Sequence, residues 1–151
     1  MNDIRQLKQA CLLAEHDALS RYVEQELVAV ALLRGLAAVA WSIAMSSGAS
    51  HGSSQAVAAL APLAALWLAD VFFTYVGVIY KARRLKVRQW IEELPSASEK
   101  TLAAWCTPAN PFDGLTRAEK IAALRDALTS PAVVLVYAVL ASATAVITLA
   151  A

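Results

Sequence analysis

The sequence predicts an all-α integral membrane helical bundle with three transmembrane helices and cytoplasmic helical extensions. The chain of 151 residues is 59% hydrophobic and only 17% charged, whereas soluble domains are about 45–50% apolar and about 25% charged. Three segments, 27–46, 57–80 and 131–151, each reach the ~20 mostly apolar residues that a spanning helix needs. Of the 13 Lys and Arg residues, only Arg34 lies inside these segments.

The distribution of Lys and Arg predicts the orientation of the bundle. The outer loop, 47–56, contains neither residue, segment 81–130 contains nine, and segment 1–26 contains three. Lys and Arg accumulate on the cytoplasmic side of spanning helices, so the N-terminus and 81–130 are expected in the cytoplasm and the C-terminus outside. Segment 1–26 is not typical of a cleaved signal peptide. We therefore expect a multi-pass protein of a bacterial inner membrane.

Segment 1–26 predicts a cytoplasmic amphipathic helix. Its narrow apolar stripe recurs at alternating intervals of three and four residues and comprises Ile4, Leu7, Cys11, Ala14 and Ala18. Leu12, Leu19 and Val23 widen this stripe. Because no Gly or Pro precedes the first span, we expect one helix from about residue 3 to about residue 46. The stripe either packs on cytoplasmic segments of the same assembly, lies on the membrane surface or binds a soluble partner.

Segment 81–130 predicts a basic helix extension followed by a small helical module. Pro95 is the first helix breaker after the second span, so that helix should continue to about Glu93. Trp90 and Tyr80 are expected as aromatic anchors at the interface. Five basic side chains are expected to form a collar at the anionic lipid surface. The collar comprises Lys81, Arg83, Arg84, Lys86 and Arg88.

Two capping boxes predict two short helices in this module. The first box pairs Ser96 with Glu99, and the second pairs Thr116 with Glu119. The second helix has one apolar face, which we expect to pack under the bundle. This face comprises Ile121, Leu124 and Leu128.

Two charges inside the predicted spans are the strongest candidate site. Arg34 lies about 10 Å and Asp70 about 15 Å from the inner ends of their spans, at 1.5 Å per residue. An unpaired charge in a membrane costs at least ~2.5–3.5 kcal/mol, so we expect an ion pair, with Tyr137 and Ser142 near enough to join a polar cluster. The alternatives are Arg34 reaching the cytoplasmic surface while Asp70 faces a wet pore, and a proton or ion pathway.

Small residues at helix-packing spacing predict association with further copies of the chain. Gly35, Ala38 and Ser42 share one face of the first span. The faces on the second and third spans comprise Ala61, Ala65, Ala69, Ala138, Ser142 and Ala145. The alternative is that an Ala-rich sequence produces this spacing incidentally.

No motif predicts catalysis. The chain lacks a Gly-rich phosphate loop, a metalloprotease motif and a nucleophile motif. Cys11 and Cys106 lie in separate segments without nearby metal-ligating residues. The net charge of +1 provides no overall field that would attract nucleic acid. We therefore expect no enzyme activity, no cofactor, no metal and no nucleic-acid partner.

The layout resembles two groups of small bacterial membrane proteins. The N-terminal cytoplasmic helix, the helical hairpin, the basic extension YKARRLKVRQWIEELP and the final span after a Pro are similar to the RipA-like octameric inner-membrane proteins. The N-terminal helix, hairpin and cytoplasmic helix are also similar to the SLATT effector domains of bacterial conflict systems, usually described with two spans. The first resemblance implies a multimeric membrane assembly without known enzyme activity, and neither assigns functional residues.

These observations predict a small homo-oligomeric membrane protein that acts as a scaffold or a pore-like assembly. The lipid bilayer and further copies of the chain are the expected partners. The alternative is a membrane effector or signalling partner, controlled by a cytoplasmic protein through segment 1–26 or segment 95–130.

Overall fold

The computed structural model of the protein describes residues 2–47, 53–105, 112 and 115–150. These residues form five helices, and none of them lies in a strand. The helices are α1 (Asn2–Ser47), α2 (Ser53–Glu93), α3 (Glu99–Ala104), α4 (Arg117–Leu128) and α5 (Pro131–Ala150). The predicted all-α class is confirmed. Residues 48–52 of the predicted outer loop lie outside the described residues.

Three stretches of helix are long and apolar enough to cross a membrane. They lie within Ile4–Ser46, Leu60–Glu93 and Arg117–Thr148, and the last stretch includes both α4 and α5. Both α1 and α2 extend well beyond the ~20 residues that a bilayer requires. The structure therefore has one long helical hairpin, α1 and α2, against which α4 and α5 pack.

The core of the hairpin consists of two apolar clusters. One cluster joins the first half of α1 to the last turns of α2 and to α3, and it comprises Leu12, Leu19, Val87, Leu94, Ala97, Leu102 and Trp105. The other joins the opposite end of the hairpin to α4 and α5, and it comprises Ala37, Leu63, Val71, Ala127, Val133 and Tyr137. Because α1 and α2 are antiparallel, the first residues of α1 contact the last residues of α2, and later residues of α1 contact earlier residues of α2.

The apolar stripe predicted on segment 1–26 is not the surface that α1 uses to contact α2. Ile4 and Leu7 are 62% and 68% exposed, and Cys11, Ala14 and Ala18 are also exposed. The buried residues are the three flanking ones, Leu12, Leu19 and Val23. Larger side chains bury more apolar area than Cys or Ala, which favours this face for the hairpin contact.

The predicted capping box forms at α4 but not at α3. Ser98, rather than Ser96, caps α3, and its hydroxyl accepts a hydrogen bond from the Thr101 backbone N–H at 3.2 Å. At α4 the predicted box forms: Glu119 N–H donates to the Thr116 hydroxyl at 3.2 Å, and Thr116 N–H donates to the Glu119 carboxylate at 2.6 Å. The Thr116 backbone and hydroxyl donors hold the pKa of Glu119 below its usual value.

The predicted packing face of α4 was wrong. Ala123 and Ala127 are buried against the bundle, whereas Ile121, Leu124 and Leu128 are 59%, 44% and 39% exposed. The two small residues lie on a different face and allow α4 to approach α2 closely.

Residues on both sides of α3 accept hydrogen bonds from the start of α1. The Arg5 guanidinium donates to the Ala97 carbonyl at 3.2 Å, and the Lys8 ammonium donates to the Trp105 carbonyl. Trp105 stacks on Trp90, with ring centroids 5.7 Å apart. Trp90 and Tyr80 were predicted as membrane anchors, but both pack between helices, Tyr80 against Tyr22 at 5.2 Å.

Candidate functional site

The candidate site is a series of charged contacts between α1 and α2, of which the Arg34–Asp70 pair is the central one. Arg34 Nε donates to Asp70 Oδ2 at 2.8 Å, and Arg34 Nη2 donates to Asp70 Oδ1 at 3.2 Å. The Thr74 hydroxyl donates to the same carboxylate at 3.3 Å. Two parallel bonds from one guanidinium are the strongest geometry for such a pair. The structure thus brings the two charges of the apolar segments together.

The two partners differ in burial. Asp70 is completely buried, whereas the Arg34 side chain is 24% exposed. Only Arg34 and Thr74 therefore stabilise the negative charge of the Asp70 carboxylate. The Arg34 guanidinium is also partly exposed at the surface of the chain. A pair of this kind fixes the register of α1 against α2, since sliding either helix by one turn of 5.4 Å separates the charges.

The structure brings Tyr137 to this pair but not Ser142. Tyr137 is 8% exposed and lies within electrostatic range of both Asp70 and Arg34. Its hydroxyl is buried without a hydrogen-bond partner among the described residues. Ser142 is exposed. It belongs to another face of α5, so the predicted polar cluster does not include it.

A second polar contact, which the sequence analysis missed, links α1 to α5. The Trp41 indole N–H donates to the Thr144 hydroxyl at 2.8 Å, and that hydroxyl donates to the Leu140 carbonyl. Thr144 is 1% exposed. A Trp and a Thr in apolar segments are compatible with lipid contact as well as with pairing, so the sequence offers no signal for this bond.

A third charged contact lies at Glu26, closer than Arg34 to the N-terminus of α1. The Glu26 side chain is 8% exposed, and Lys81 Nζ lies 3.3 Å from its Oε2. That oxygen accepts no hydrogen bond from the described residues. Glu26 fits there because Gly77 has no side chain: a Cβ at Gly77 would lie 2.6 Å from both carboxylate oxygens. Glu26 looks like a surface charge in the sequence, but α2 covers it and it faces Lys81 of the basic extension.

The fourth contact pairs Arg83 with Glu15. Arg83 Nε donates to Glu15 Oε1 at 2.8 Å, and the guanidinium lies 4.8 Å from the centre of the Trp90 ring. Arg83 is only 2% exposed. It was predicted to belong to the lipid-facing collar, and this was wrong because α1 and Trp90 enclose it.

The remaining members of the predicted collar are more exposed, but most have acidic neighbours. Lys81 lies near Glu26, Lys86 Nζ lies 3.9 Å from Glu119 Oε1, and Arg88 Nε donates to Glu92 Oε1 at 3.0 Å. Arg84 has no ion-pair partner among the described residues. Exposed pairs of this kind contribute little stability, about 0–1 kcal/mol, and leave the cations free to reach phosphate groups.

The small residues predicted for oligomer packing face outward in the single chain. Ala61, Ala65, Ala138, Ser142 and Ala145 are exposed, and Ala69 is half-buried. Gly35, Ala38 and Ser42 are also exposed. No helix of the described chain covers these faces, so they are available to lipid or to a further copy.

The described residues contain no group of three or more His, Cys, Asp or Glu side chains that could hold a metal ion. No protein-family profile matches the chain. No curated protein and no solved structure matches it either. The resemblance to the RipA-like and SLATT groups therefore stays a prediction. The function has to be argued from the geometry of the chain itself.

Proposed function

We propose that this chain is the subunit of a homo-oligomeric scaffold in a bacterial inner membrane, with its N-terminus in the cytoplasm and its C-terminus outside. The distribution of Lys and Arg supports the orientation. The exposed length of α1 supports the assembly. The arrangement is structural rather than enzymatic, and its partners are lipid and further copies of the chain.

One observation carries the proposal: an uncovered stripe runs along almost all of α1. The stripe predicted at Ile4 and Leu7 continues in the same heptad register to Ser42, and every residue in it is exposed. We call it the outer stripe. Its members are Ile4, Leu7, Cys11, Ala14, Ala18, Arg21, Gln25, Val28, Leu32, Gly35, Val39 and Ser42. It lies next to the buried face of Leu12 and Leu19, about a quarter turn around α1 from the residues that contact α2.

The extent of the outer stripe favours a second copy as its partner. Lipid can cover the part from Val28 to Ser42, but it leaves the apolar side chains near Ile4 in water. A soluble protein can cover only the part of the stripe near Ile4, outside the membrane. A helix that itself continues from the membrane into the cytoplasm covers both, and α1 and α2 of another copy have this length. Sustained heptads are the pattern by which long parallel helices pack.

Charge complementarity supports contact between different faces of neighbouring copies. Asp17 and Glu24 border the outer stripe, and Asp17 has a side chain that is 71% exposed. Arg88 on α2 and Arg125 on α4 have side chains that are 68% and 75% exposed. Arg88 and Arg125 have acidic neighbours in Glu92 and Asp126, but their exposed guanidinium groups can also reach acids of another copy. Exposed acids on one face and exposed arginines on another favour head-to-tail contacts, which close into a ring when the rotation between copies allows it.

The exposed side chains of the apolar segments favour a scaffold over an ion-conducting pore. Among the described residues of 27–46, 60–80 and 131–148, the exposed polar side chains are Ser42, Ser46 and Ser142. The one charged side chain there that is partly exposed, Arg34 at 24%, is paired with Asp70. Ion pathways are lined by rings of charged side chains or carbonyl groups. Current across a planar bilayer containing the purified chain would favour the pore instead, and the scaffold predicts none.

The assembly is tested with one charge placed on the outer stripe. Leu7→Glu introduces a carboxylate at a 68% exposed stripe position, and Leu13→Glu is the matched control on the same segment of α1, 45% exposed and off the stripe. In mild detergent, light scattering should find the wild type and Leu13→Glu assembled and Leu7→Glu mostly dissociated. Equal behaviour of the two variants would contradict the outer stripe as the interface. A partner protein controlling segment 1–26 would instead leave the wild type monomeric.

A further inference from the structure

A cleft between α1 and α2 lies at the predicted cytoplasmic boundary of the membrane. Its volume is ≈ 270 Å³. It is lined by Tyr22, Gln25, Glu26, Ala29, Phe73, Val76 and Tyr80. Phe73, Val76 and Tyr80 lie on the side of α2 away from Val71, which packs in the cluster with α5. The cleft is therefore open beside the hairpin and complete within one chain.

The cleft is polar at one end and apolar at the other. Tyr22, Glu26 and Tyr80 lie at the cytoplasmic end, and Phe73 lies seven residues further along α2 from Tyr80, about 10 Å toward the other side at 1.5 Å per residue. A lipid of the inner leaflet has the same polarity in the same direction, with its headgroup at the cytoplasmic boundary and its acyl chains beyond.

The buried carboxylate at the polar end is incompletely hydrogen-bonded. Glu26 is more than nine-tenths buried, and its Oε2 accepts no hydrogen bond from the described residues, although Lys81 Nζ lies 3.3 Å away. Gly77 provides the space that the carboxylate occupies. A ligand that brings N–H donors to this oxygen would compensate its buried charge. Tyr22 and Tyr80 stack at 5.2 Å beside it, and aromatic rings attract cations.

Two cations, Arg21 and Lys81, lie next to the cleft. Arg21 lines an adjoining cleft of ≈ 360 Å³ together with Ala18, Tyr22 and Gln25. The Lys81 side chain is 43% exposed, so it can turn from Glu26 to a phosphate without being desolvated. The site therefore offers a carboxylate for an ammonium group and two cations for a neighbouring phosphate.

We propose that this cleft binds the phosphoethanolamine headgroup of a membrane lipid. The ammonium donates to Glu26 beside Tyr22 and Tyr80, the phosphate contacts Arg21 and Lys81, and an acyl chain lies along Val76 and Phe73. Choline carries no N–H donor and the glycerol headgroup carries no cation, so neither can donate a charged hydrogen bond to Glu26. The site rests on the membrane placement and orientation proposed above, but it does not depend on the assembly.

The test is native mass spectrometry of the full chain in mild detergent, with dioctanoyl lipids in competition. The probes are phosphatidylethanolamine, phosphatidylcholine and phosphatidylglycerol of equal chain length. The wild type should bind phosphatidylethanolamine about tenfold more tightly than either competitor, as one charge-assisted hydrogen bond allows. Equal binding of the three lipids would overturn the proposal. Tail-free O-phosphoethanolamine should compete only weakly, and competition at equal concentration would assign the site to a soluble amine rather than a lipid.

Three variants test whether the preference for phosphatidylethanolamine depends on Glu26. Glu26→Gln should remove it, and Gly77→Ala should reduce it by displacing the carboxylate while leaving the net charge unchanged. Glu24→Gln is the matched control, an exposed acid two residues away, and should retain it. Circular dichroism confirms that each variant is folded. Retention of the preference by folded Glu26→Gln would overturn the proposal. Arg21 and Gln25 belong to both the outer stripe and the lipid site, so in an assembly the lipid would lie at the edge of the interface. Because Glu26, Tyr22 and Tyr80 lie in one chain and Leu7 is 14 residues from Arg21, Leu7→Glu should dissociate the assembly and keep the preference, so the two proposals fail separately.

Discussion

The Arg34–Asp70 pair predicts an asymmetric response to removal of its two partners. Arg34→Ala leaves a carboxylate that is completely buried and retains only the 3.3 Å bond from Thr74. Breaking a buried pair in this way costs about 3–5 kcal/mol, and we expect the upper part of that range. Asp70→Ala leaves a guanidinium that is already 24% exposed. Its long side chain can turn toward the cytoplasmic boundary, about 10 Å away, so we expect about 3 kcal/mol or less.

Removing both charges together should cost far less than the sum of the two single changes. In Arg34→Met with Asp70→Leu, neither charge remains buried, and apolar replacements of buried pairs are often neutral. The exchange Arg34→Asp with Asp70→Arg should recover part of the loss, since the pair can form in the opposite sense. Recovery by both double variants separates an ion pair from two independent packing contacts.

The assay is equilibrium unfolding in mixed micelles. The purified chain in mild detergent is titrated with sodium dodecyl sulfate, and helix content is followed by circular dichroism. Arg34→Ala should unfold at the lowest detergent fraction, Asp70→Ala next, and the apolar double variant near the wild type. Single variants that unfold with the wild type, or an exchange variant no more stable than either single one, would refute the pair as a source of stability.

Three further predictions address the topology, the packing and the module. After replacement of both native cysteines, Cys at Ser53 should react with an impermeant reagent from outside and Cys at Ser98 only after permeabilisation; labelling of intact cells at 98 would reverse the orientation. Leu at both Ala65 and Ala69 should reduce the assembled fraction in light scattering, and an unchanged mass would assign that face to lipid. The Glu119 carboxylate stabilises α4 fully above pH 4.5, and this contribution is lost as the pH falls through its lowered folded pKa; a carboxyl NMR titration midpoint at or above 4.5 would contradict the capping geometry.

The helical segments and the Arg34–Asp70 pair could be predicted from the sequence, because each follows from one physical requirement. The three apolar segments and the continuous α1 and α2 follow from length, composition and the absence of helix breakers. The pairing of Arg34 with Asp70 follows from the cost of an isolated charge and from the short connection, which makes the two helices antiparallel neighbours. Each of these inferences needs no knowledge of which helix faces meet.

The choice among competing faces could not be predicted. Segment 1–26 carries two apolar faces, and the one with larger side chains contacts α2 while the more regular one stays exposed. In α4, Ala123 and Ala127 pack closely although Ile121 and Leu124 are more hydrophobic, because small side chains let two helices approach. Arg83 and Glu26 look like surface charges in the sequence, and only the register of α1 against α2 places them inside. Tertiary packing decides which face is buried, and the spacing of apolar residues along the sequence does not report it.

The most direct test of the proposed assembly is the mass of the wild-type chain released from lipid nanodiscs by native mass spectrometry. The chain has a mass of 16.1 kDa. The proposal predicts one dominant species at a multiple of this mass, and image averages that show a closed ring with lipid at its centre. A water-filled central channel would identify the assembly as a pore instead of a scaffold. A single species of 16.1 kDa at every protein concentration would contradict the account.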